Sequence, residues 1–464
     1  MNNIEKFYSN KIFFLLPSNK CPKTYFFKPK YPKTKSKYIQ FQNKNIALMS
    51  TQYNPTFFSE KINSIRSVFL QKMGFELNTK MNFADIYLMP YSINKKLENE
   101  LNHFVVGKYQ KINMFYNYKE YISKSLLYYN YKLFKTKFPS EFDYMFEAYS
   151  YPEDKKIIEK KFSNYTLKNN KELWLVKPKL GSLGGHIKIF TNLSDIKIND
   201  YIITKYLYKP NLIRHKKYDI RFHGLVSTIK PLKLYLYNEG FLRLASENYN
   251  FSLSNMNNKF VYLTNIYINS KNKKKYIYPQ NISNIENSNL WNLETFHKYC
   301  ERKNIDYNKI YSGVTDIFIK MILTVRKKII NDITRKKLDS SNFYHLIGFD
   351  IILDNNLKPY LLEANRRCSF RDNNNAEKYY TYNIVVDTLN IIGLREYDYK
   401  NLNKTKNKTE DIKQNIEESL CELNRPRGGY KLIFPLKNNI EKYKKYFGNN
   451  IPKEDRELWK QLIE

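Results

Sequence analysis

Cysteine is scarce in this 464-residue chain: Cys21, Cys300, Cys368 and Cys421 stand far apart, with no CxxC pair. That pattern argues against a zinc site and against a disulfide framework, and predicts four free thiols in a reducing compartment. Long apolar runs are missing too. Nothing approaches the roughly 18 residues of a membrane-spanning helix. The stretch KIFFLLP, residues 11–17, is too brief for a signal-peptide core and has no small-residue cleavage site. The expected compartment is the cytosol or nucleus, with no membrane partner. Six histidines include no HExxH spacing, which leaves His103, His186 and His223 to ordinary structural roles. No nucleophile elbow and no internal repeat is visible.

Negative charge is the minority. The chain has 44 Asp and Glu against 79 Lys and Arg, a net charge of +35. An anionic partner follows, either nucleic acid or an acidic protein surface. The cations are spread along the whole chain, and no zinc-finger, RNA-recognition or basic-zipper signature accompanies them, so nucleic acid is disfavoured. The abundance of Lys, Asn, Tyr and Ile fits biased codon usage equally well.

Hydrophobic residues make up 42%, enough for a globular chain of two or three modules. Residues 1–58 carry Pro17, Pro22, Pro29, Pro32 and Pro55 with no sustained period, and read as an irregular basic extension. Residues 59–165 read mostly as helix, as in YISKSLLYYNYKLF. From Lys171 the texture is strand-like: ELWLVKPK, HIKIF, DYIITKYLY, KYDIRFHGLV and KLYLYNEGFLRLA. Helix returns over 291–339 and again over 376–393. Residues 400–426 read as an exposed charged linker, and 430–464 as a short helix packed back or a basic tail. The fold class is α+β.

The segment YHLIGFDIILDNNLKPYLLEANRR, residues 344–367, is the most informative. It predicts two strands joined at Asn355-Asn356, with Asp354 opposite Leu357 and Asp350 opposite Leu361. Side chains alternate along a strand, so Asp350 then shares a face with Glu363 and Asn365. Carboxylates framed by Phe349, Ile351, Leu362 and Ala364 need a partner to be buried. Two carboxylates and an amide oxygen suit Mg²⁺, whose shell substrate phosphates commonly complete. That chemistry points to a nucleotide enzyme.

Other elements agree with it. Lys177 ends the apolar strand LWLV ahead of the small-residue loop Gly181-Ser182-Leu183-Gly184-Gly185, a way to hold phosphates, although the loop is neither Walker A nor GxGxxG. Lys205, Tyr206 and Leu207 follow DYIIT where a hinge between lobes could meet an adenine edge. Lys217, Asp219 and Arg221 share one face of a strand, and Arg243 lies in the strand after the Asn238-Glu239-Gly240 turn. Taken singly, the triplet could equally be a solvated strand face.

In this order the elements resemble the tubulin–tyrosine ligase-like family of ATP-grasp enzymes, over about Leu101 to Ser369. LNHF (101–104), WLVKP (174–178), TKYL (204–207), KYDIR (217–221), YLYNEGFLRLASENY (235–249), YLTN (262–265) and GFDIILDNNLKPYLLEAN (348–365) carry the resemblance. It implies an ATP-grasp architecture with N-terminal, central and C-terminal lobes. The parts would be an extension at 1–58, an N-terminal part at 59–165, a central lobe at 166–210, a catalytic lobe at 211–395, and a charged linker and tail at 396–464. It implies ATP and Mg²⁺ as cofactors, with Lys177, Gly184, Lys205, Tyr206, Leu207, Lys217, Asp219, Thr264 and Asn265 around the nucleotide. Asp350, Glu363 and Asn365 would hold the metal, and Arg221 and Arg243 would act on the transferring phosphoryl or the acceptor carboxylate.

The implied activity is ATP-dependent addition of glutamate to glutamate side chains of tubulin tails. Tyrosine or glycine addition, or a weakened microtubule-binding protein, are the alternatives. The implied partners are tubulin or microtubules and a free amino acid, in the cytoplasm and microtubule cytoskeleton, cilia included. The short, single-module form favours the tyrosine ligase, and VYLTNIYINSKNK the glutamylases. The sequence departs from the family pattern at Leu183-Gly184-Gly185-His186-Ile187, where two arginines are usual, and at Tyr262, Thr204 and Arg366-Arg367.

Overall fold

A computed structural model describes residues 13–16, 21, 24–27, 56–59, 70–71, 75–77, 84–89, 106–107, 109–165, 172–179, 187–196, 199–250, 257–279, 282–366, 368, 375–395 and 408–464. Four sheets lie among them. β1 (Phe13–Leu16) and β2 (Thr24–Phe27) form an antiparallel pair. β3 (Thr56–Ser59), β4 (Glu76–Leu77), β5 (Ile86–Leu88) and β6 (Lys111–Ile112) form a parallel sheet in the order β4-β3-β5-β6. β7 (Ala148–Tyr151), β8 (Trp174–Pro178), β9 (Lys188–Ile189) and β10 (Tyr201–Lys205) form an antiparallel sheet in the order β7-β10-β8-β9. The fourth sheet holds β11 (Leu212–Ile213), β12 (Lys216–Ile229), β13 (Leu232–Tyr237), β14 (Phe241–Leu244), β15 (Leu290–Asn292), β16 (His345–Leu353), β17 (Pro359–Asn365) and β18 (Tyr430–Phe434).

β12 organises this sheet. It pairs with β14 over Tyr218–Arg221, with β13 over Gly224–Ile229 and with β16 over Ile220–Val226. The helix Tyr307–Arg335 covers it. Asp306 caps that helix by accepting from the Lys309 amide at 3.1 Å. Its buried residues Ile310, Val314, Ile317, Phe318, Met321, Ile322, Val325, Ile329 and Ile333 recur at three- and four-residue spacing and form one apolar stripe. The close approach requires Gly224, since a Cβ there would lie 2.2 Å from the Phe318 ring.

The four-stranded antiparallel sheet shows two-residue periodicity plainly. Trp174, Val176, Tyr201 and Ile203 pack on Phe162 and Phe190. Leu175, Lys177, Ile202 and Thr204 face the opposite way, into a cleft.

Several expectations need correction. The hairpin loop is longer than two residues. The Asp354 carboxylate accepts from the amides of Asn356 and Lys358, both at 2.9 Å, and Leu357 takes φ 64°. Leu353 therefore faces Pro359 and Ile351 faces Leu361, one residue off the expected register. A bulge at Leu362 adds a second one-residue shift, so Asp350 pairs with Glu363 and Gly348 with Asn365. Two odd shifts restore parity, and Asp350, Glu363 and Asn365 share a face after all.

Cys21 and Cys421 form a disulfide across a sequence separation of 400, whereas Cys300 and Cys368 are free and buried. Spacing along the chain carried no sign of a pair made only by folding. The stretch expected to be irregular includes β1, β2 and β3, and Asn390 exchanges two hydrogen bonds with the Phe27 backbone, at 2.8 and 2.9 Å. Part of the expected linker is the helix Lys408–Leu423, with Ser419, Cys421 and Glu422 buried. Residues 430–464 contribute β18 to the large sheet, and the helix Lys453–Ile463 buries Leu458 and Trp459.

Asp455, on that last helix, is fully buried. It accepts from the Leu232 amide at 2.9 Å and from Arg326 of the long helix, which also donates to the Ile229 carbonyl at 3.0 Å. Removing one partner of a buried ion pair leaves the other charge uncompensated. Arg326→Leu should therefore lower the unfolding free energy by about 3–5 kcal/mol in chemical denaturation. An unchanged midpoint and slope would show that the C-terminal helix is not docked through this pair.

Candidate active site

A row of charged side chains crosses the large sheet. Arg243 on β14 lies opposite Asp219 on β12, Arg221 on β12 lies opposite Asp350 on β16, and Asp350 lies opposite Glu363 on β17. The Asp350 carboxylate accepts from Arg221 through Nε and, at 3.0 Å, through Nη2. Arg243 Nη2 reaches the same carboxylate at 2.7 Å, while its Nε donates to Asp219 at 2.5 Å. Asp219 also accepts from the Thr264 hydroxyl at 2.5 Å.

Asp219, Arg221 and Asp350 are almost wholly out of water and Arg243 nearly so, where an ion survives only with its charge matched. Burial by itself would raise the Asp350 pKa. The guanidiniums of Arg221 and Arg243 prevail and hold it well below the usual carboxylate range. Both arginines are driven the other way: burial opposes their charge, and their carboxylate partners more than offset it.

Two residues before Asp219, the buried Lys217 donates to the Tyr206 hydroxyl at 2.9 Å and to the Tyr262 carbonyl at 3.1 Å, and sits 4.0 Å from the centre of the Tyr206 ring. Burial lowers its pKa to about 7; Asp219 works against the shift and Lys177 adds to it. Burial likewise brings Lys177 to about 8, with Glu363 opposing and Lys124 adding. Lys205 pairs with Glu172, and Tyr206 is anchored by its amide on the Leu173 carbonyl at 2.7 Å.

All of this surrounds one cleft between the small antiparallel sheet and the large sheet, enclosing about 1020 Å³ out to its mouth. Lys177, Lys205, Tyr206, Leu207, Lys217, Asp219, Arg243, Thr264, Asn265, Asp350 and Glu363 all border it. Arg221 stands behind the wall, against a smaller cavity that Arg243 also borders. Asn365 lies beside Glu363, with its Nδ2 at 3.4 Å from Oε1. Gly184 and the LNHF segment lie outside the described residues.

Further wall residues come from the N-terminal part. Lys124 approaches Glu363 at 4.0 Å, and Tyr128, Met145 and Phe146 line the cleft. Phe146 stacks on Tyr360 with centroids 4.6 Å apart. Lys124, Leu127 and Tyr128 share one face of the helix Lys124–Lys137 at i, i+3 and i+4. That spacing was a usable signal, hidden because nothing in the sequence said which element the face would meet.

A divalent cation would find a partly exposed carboxylate in Glu363, an amide oxygen in Asn365, and an Asp350 oxygen already shared with arginine. Among the described residues no group of three His, Cys, Asp or Glu could hold a metal by itself. The set therefore fits an ion such as Mg²⁺, which takes one or two carboxylates and completes its shell with substrate oxygens and water. It does not fit one that needs a closed protein cage.

The model of the tubulin-tyrosine ligase family matches residues 102–401. Tubulin polyglutamylase TTLL6 of Mus musculus is 28% identical over 417 residues, covering 82% of this chain and 48% of that protein. Tubulin monoglutamylase TTLL4 of Mus musculus is 29% identical over 255 residues, covering 54% of this chain and 21% of that protein. A probable beta-tubulin polyglutamylase of Tetrahymena thermophila is 26% identical over 371 residues, covering 73% of this chain and 30% of that protein. The chain spans less than half the length of these relatives.

The geometry separates two carboxylates that the sequence treats alike. Asp350→Asn strips two buried arginines of their common anion and should cost about 3–5 kcal/mol in denaturant unfolding. A depressed carboxylate pKa stabilises above the unfolded value, so the Asp350 contribution is complete above about pH 4 and is lost as the pH falls further. Glu363→Gln, at a partly exposed group without such partners, should leave stability within about 0.5 kcal/mol. Equal effects of the two substitutions would contradict the assigned difference.

Proposed function

The chain belongs to the tubulin-tyrosine ligase family, and on that footing we propose that it is an ATP-dependent carboxylate–amine ligase that adds glutamate to glutamate side chains of tubulin tails. The observation that carries this is the single cleft. It brings lysines from the small sheet and from β12 together with Glu363 and Asp350 around one space. Cations placed for a polyphosphate join carboxylates placed for the metal that accompanies it. We read the two sheets as the central and C-terminal lobes of an ATP-grasp enzyme, with the nucleotide between them.

Residues take roles by position. Tyr206 and Leu207 flank the adenine edge. Lys177, Lys205 and Lys217 hold the phosphates, while Asp219, Thr264 and Asn265 face the ribose. Gly184, outside the described residues, is assigned to phosphate binding by its place in the sequence motif alone. Mg²⁺, held by Glu363, Asn365 and an oxygen of Asp350, would supply charge neutralisation at the β- and γ-phosphates.

The acceptor carboxylate attacks the γ-phosphorus, ADP departs, and an acyl phosphate forms. The amine of the incoming amino acid attacks the acyl carbon, inorganic phosphate leaves, and one proton is released as the amide forms. Arg243, open to the cleft, balances the negative charge that builds at the transferring group, and Arg221 holds Asp350 in place from behind.

Glutamate is favoured over tyrosine or glycine because the similar proteins are named as glutamylases. An acid-rich tubulin tail also complements a chain of net charge +35, in on-rate as much as in affinity. On this reading the protein acts at the microtubule cytoskeleton. Among the described residues no helix is long and apolar enough to cross a membrane.

Two measurements test the proposal. With ATP, Mg²⁺ and microtubules, wild type should incorporate labelled glutamate and not labelled glycine or tyrosine, and Glu363→Gln should lower the rate at least about 100-fold. Incorporation of another amino acid would replace the substrate assignment; absence of any incorporation with intact co-sedimentation would overturn the ligase. Separately, a lysine whose pKa is lowered to about 7 is mostly neutral at about pH 8, and a bound triphosphate favours its charged form. Lys177, brought to about 8, is half neutral at that pH and contributes as well. Calorimetry of preformed Mg–ATP binding in buffers of different ionisation enthalpy should then show uptake of roughly one to one and a half protons, the larger part of it removed by Lys217→Met. Buffer-independent heats would contradict a phosphate role for Lys217.

A further inference from the structure

β12 is 14 residues long, and its two ends serve different cavities. Lys217 borders the cleft described above, whereas Thr228 borders a second cavity enclosing about 510 Å³ out to its mouth. At about 3.3 Å per residue the two lie roughly 35 Å apart along the strand. The second cavity is lined by Lys111 at the end of the parallel sheet, Lys233 on β13, Arg395 and Arg425 beyond two helices, and the carboxylates of Glu418 and Glu422. Lys230 also reaches it, but is matched by Glu454 at 3.0 Å.

The pairing inside is incomplete. Lys233 meets Glu422 at 2.6 Å and Arg395 meets Glu418 at 2.9 Å. Lys111 donates to the Ser341 carbonyl at 2.7 Å, and Arg425 to the Ile391 carbonyl at 2.9 Å. Among the described residues neither of these two cations has a carboxylate at ion-pair distance. Four elements distant in sequence thus deliver four cations and two anions to one largely enclosed space. Burial depresses Lys111 to about 8, with Glu418 opposing it, the direction expected of a cation without its own counter-ion.

The site is also shaped for the guanidinium. Gly393 has φ 64°, and a Cβ there would lie 2.0 Å from Arg425 Nη1. Only glycine leaves the fork room to reach across the cavity wall.

Surplus positive charge in a confined, forked geometry suits a multiply charged tetrahedral oxyanion better than a single carboxylate. We propose that this cavity is a second anion site that binds a phosphate group, either free inorganic phosphate or the terminal group of a phosphorylated small molecule, apart from the nucleotide cleft. Lys111 and Arg425 are the residues the ligand engages, and Lys233 and Arg395 keep their carboxylate partners.

The test uses the full chain with its main cleft saturated by Mg²⁺ and a non-hydrolysable ATP analogue. Inorganic phosphate and inorganic pyrophosphate are titrated separately by calorimetry. One further equivalent of either should bind wild type. Binding of phosphate identifies the free ion as sufficient, and binding of pyrophosphate alone identifies a phosphorylated molecule as the ligand class. Lys111→Met should weaken that binding at least 10-fold while leaving the affinity for the ATP analogue unchanged. Should that variant fail to fold, Arg425→Lys, which keeps the charge and loses the fork, should weaken it in the same sense. If neither anion binds wild type under these conditions, or a folded Lys111→Met binds as tightly, the site is a structural ion network and the proposal is wrong.

Discussion

The carboxylate of Asp350 lies between two guanidiniums, and most of what surrounds the cleft follows from that contact. Arg221 comes from β12 and Arg243 from β14, so one anion on β16 ties three strands together at the level of the site. None of the three ions could stay buried alone, because desolvating each costs far more than any single contact returns. The row is stable only as a set, and Asp219 completes it by taking the second face of Arg243. Registration of the sheet and charge balance are here the same constraint.

The groups at the ends of this row are less committed. Lys217 is held by a phenol, a carbonyl and a ring face, and Glu363 keeps part of its surface in water. A fixed interior with available ends is a useful division of labour. The interior orients the strands, and under the proposed function the ends would exchange partners with a polyphosphate and its metal without dismantling the fold. The small sheet adds Lys177 from its open face because its other face is held by Phe162 and Phe190, while Lys205, opposite Trp174, borders the cleft only at the strand end.

Much of this was legible in strand parity. KYDIR places Lys217, Asp219 and Arg221 on one face by alternation alone, and alternation likewise brought Asp350, Glu363 and Asn365 together. The expected hairpin register was wrong, yet the face was right, since the Asp354 side chain lengthened the turn by one shift and the Leu362 bulge supplied another. What parity could not show is which charges would meet across strands. Asp350 read as a metal seat because its neighbours are apolar; its arginine partners come from positions 107 and 129 residues earlier in the chain. The Cys21–Cys421 bond, the docking of Asp455 on Arg326 and the Phe146–Tyr360 stack were illegible for the same reason. Each is a contact between segments whose local patterns are unremarked until the fold places them side by side.

We propose that the one cleft bordered by Tyr206, Leu207 and Glu363 seats the nucleotide. Photolabelling with an azido-adenine ATP in the presence of Mg²⁺, followed by mass-spectrometric mapping, tests it directly. The label should fall on the segment Tyr201–Leu207 or on Leu173–Lys177 and be displaced by unlabelled ATP. Displaceable label mapping to another part of the chain, or label that ATP does not displace, would contradict it.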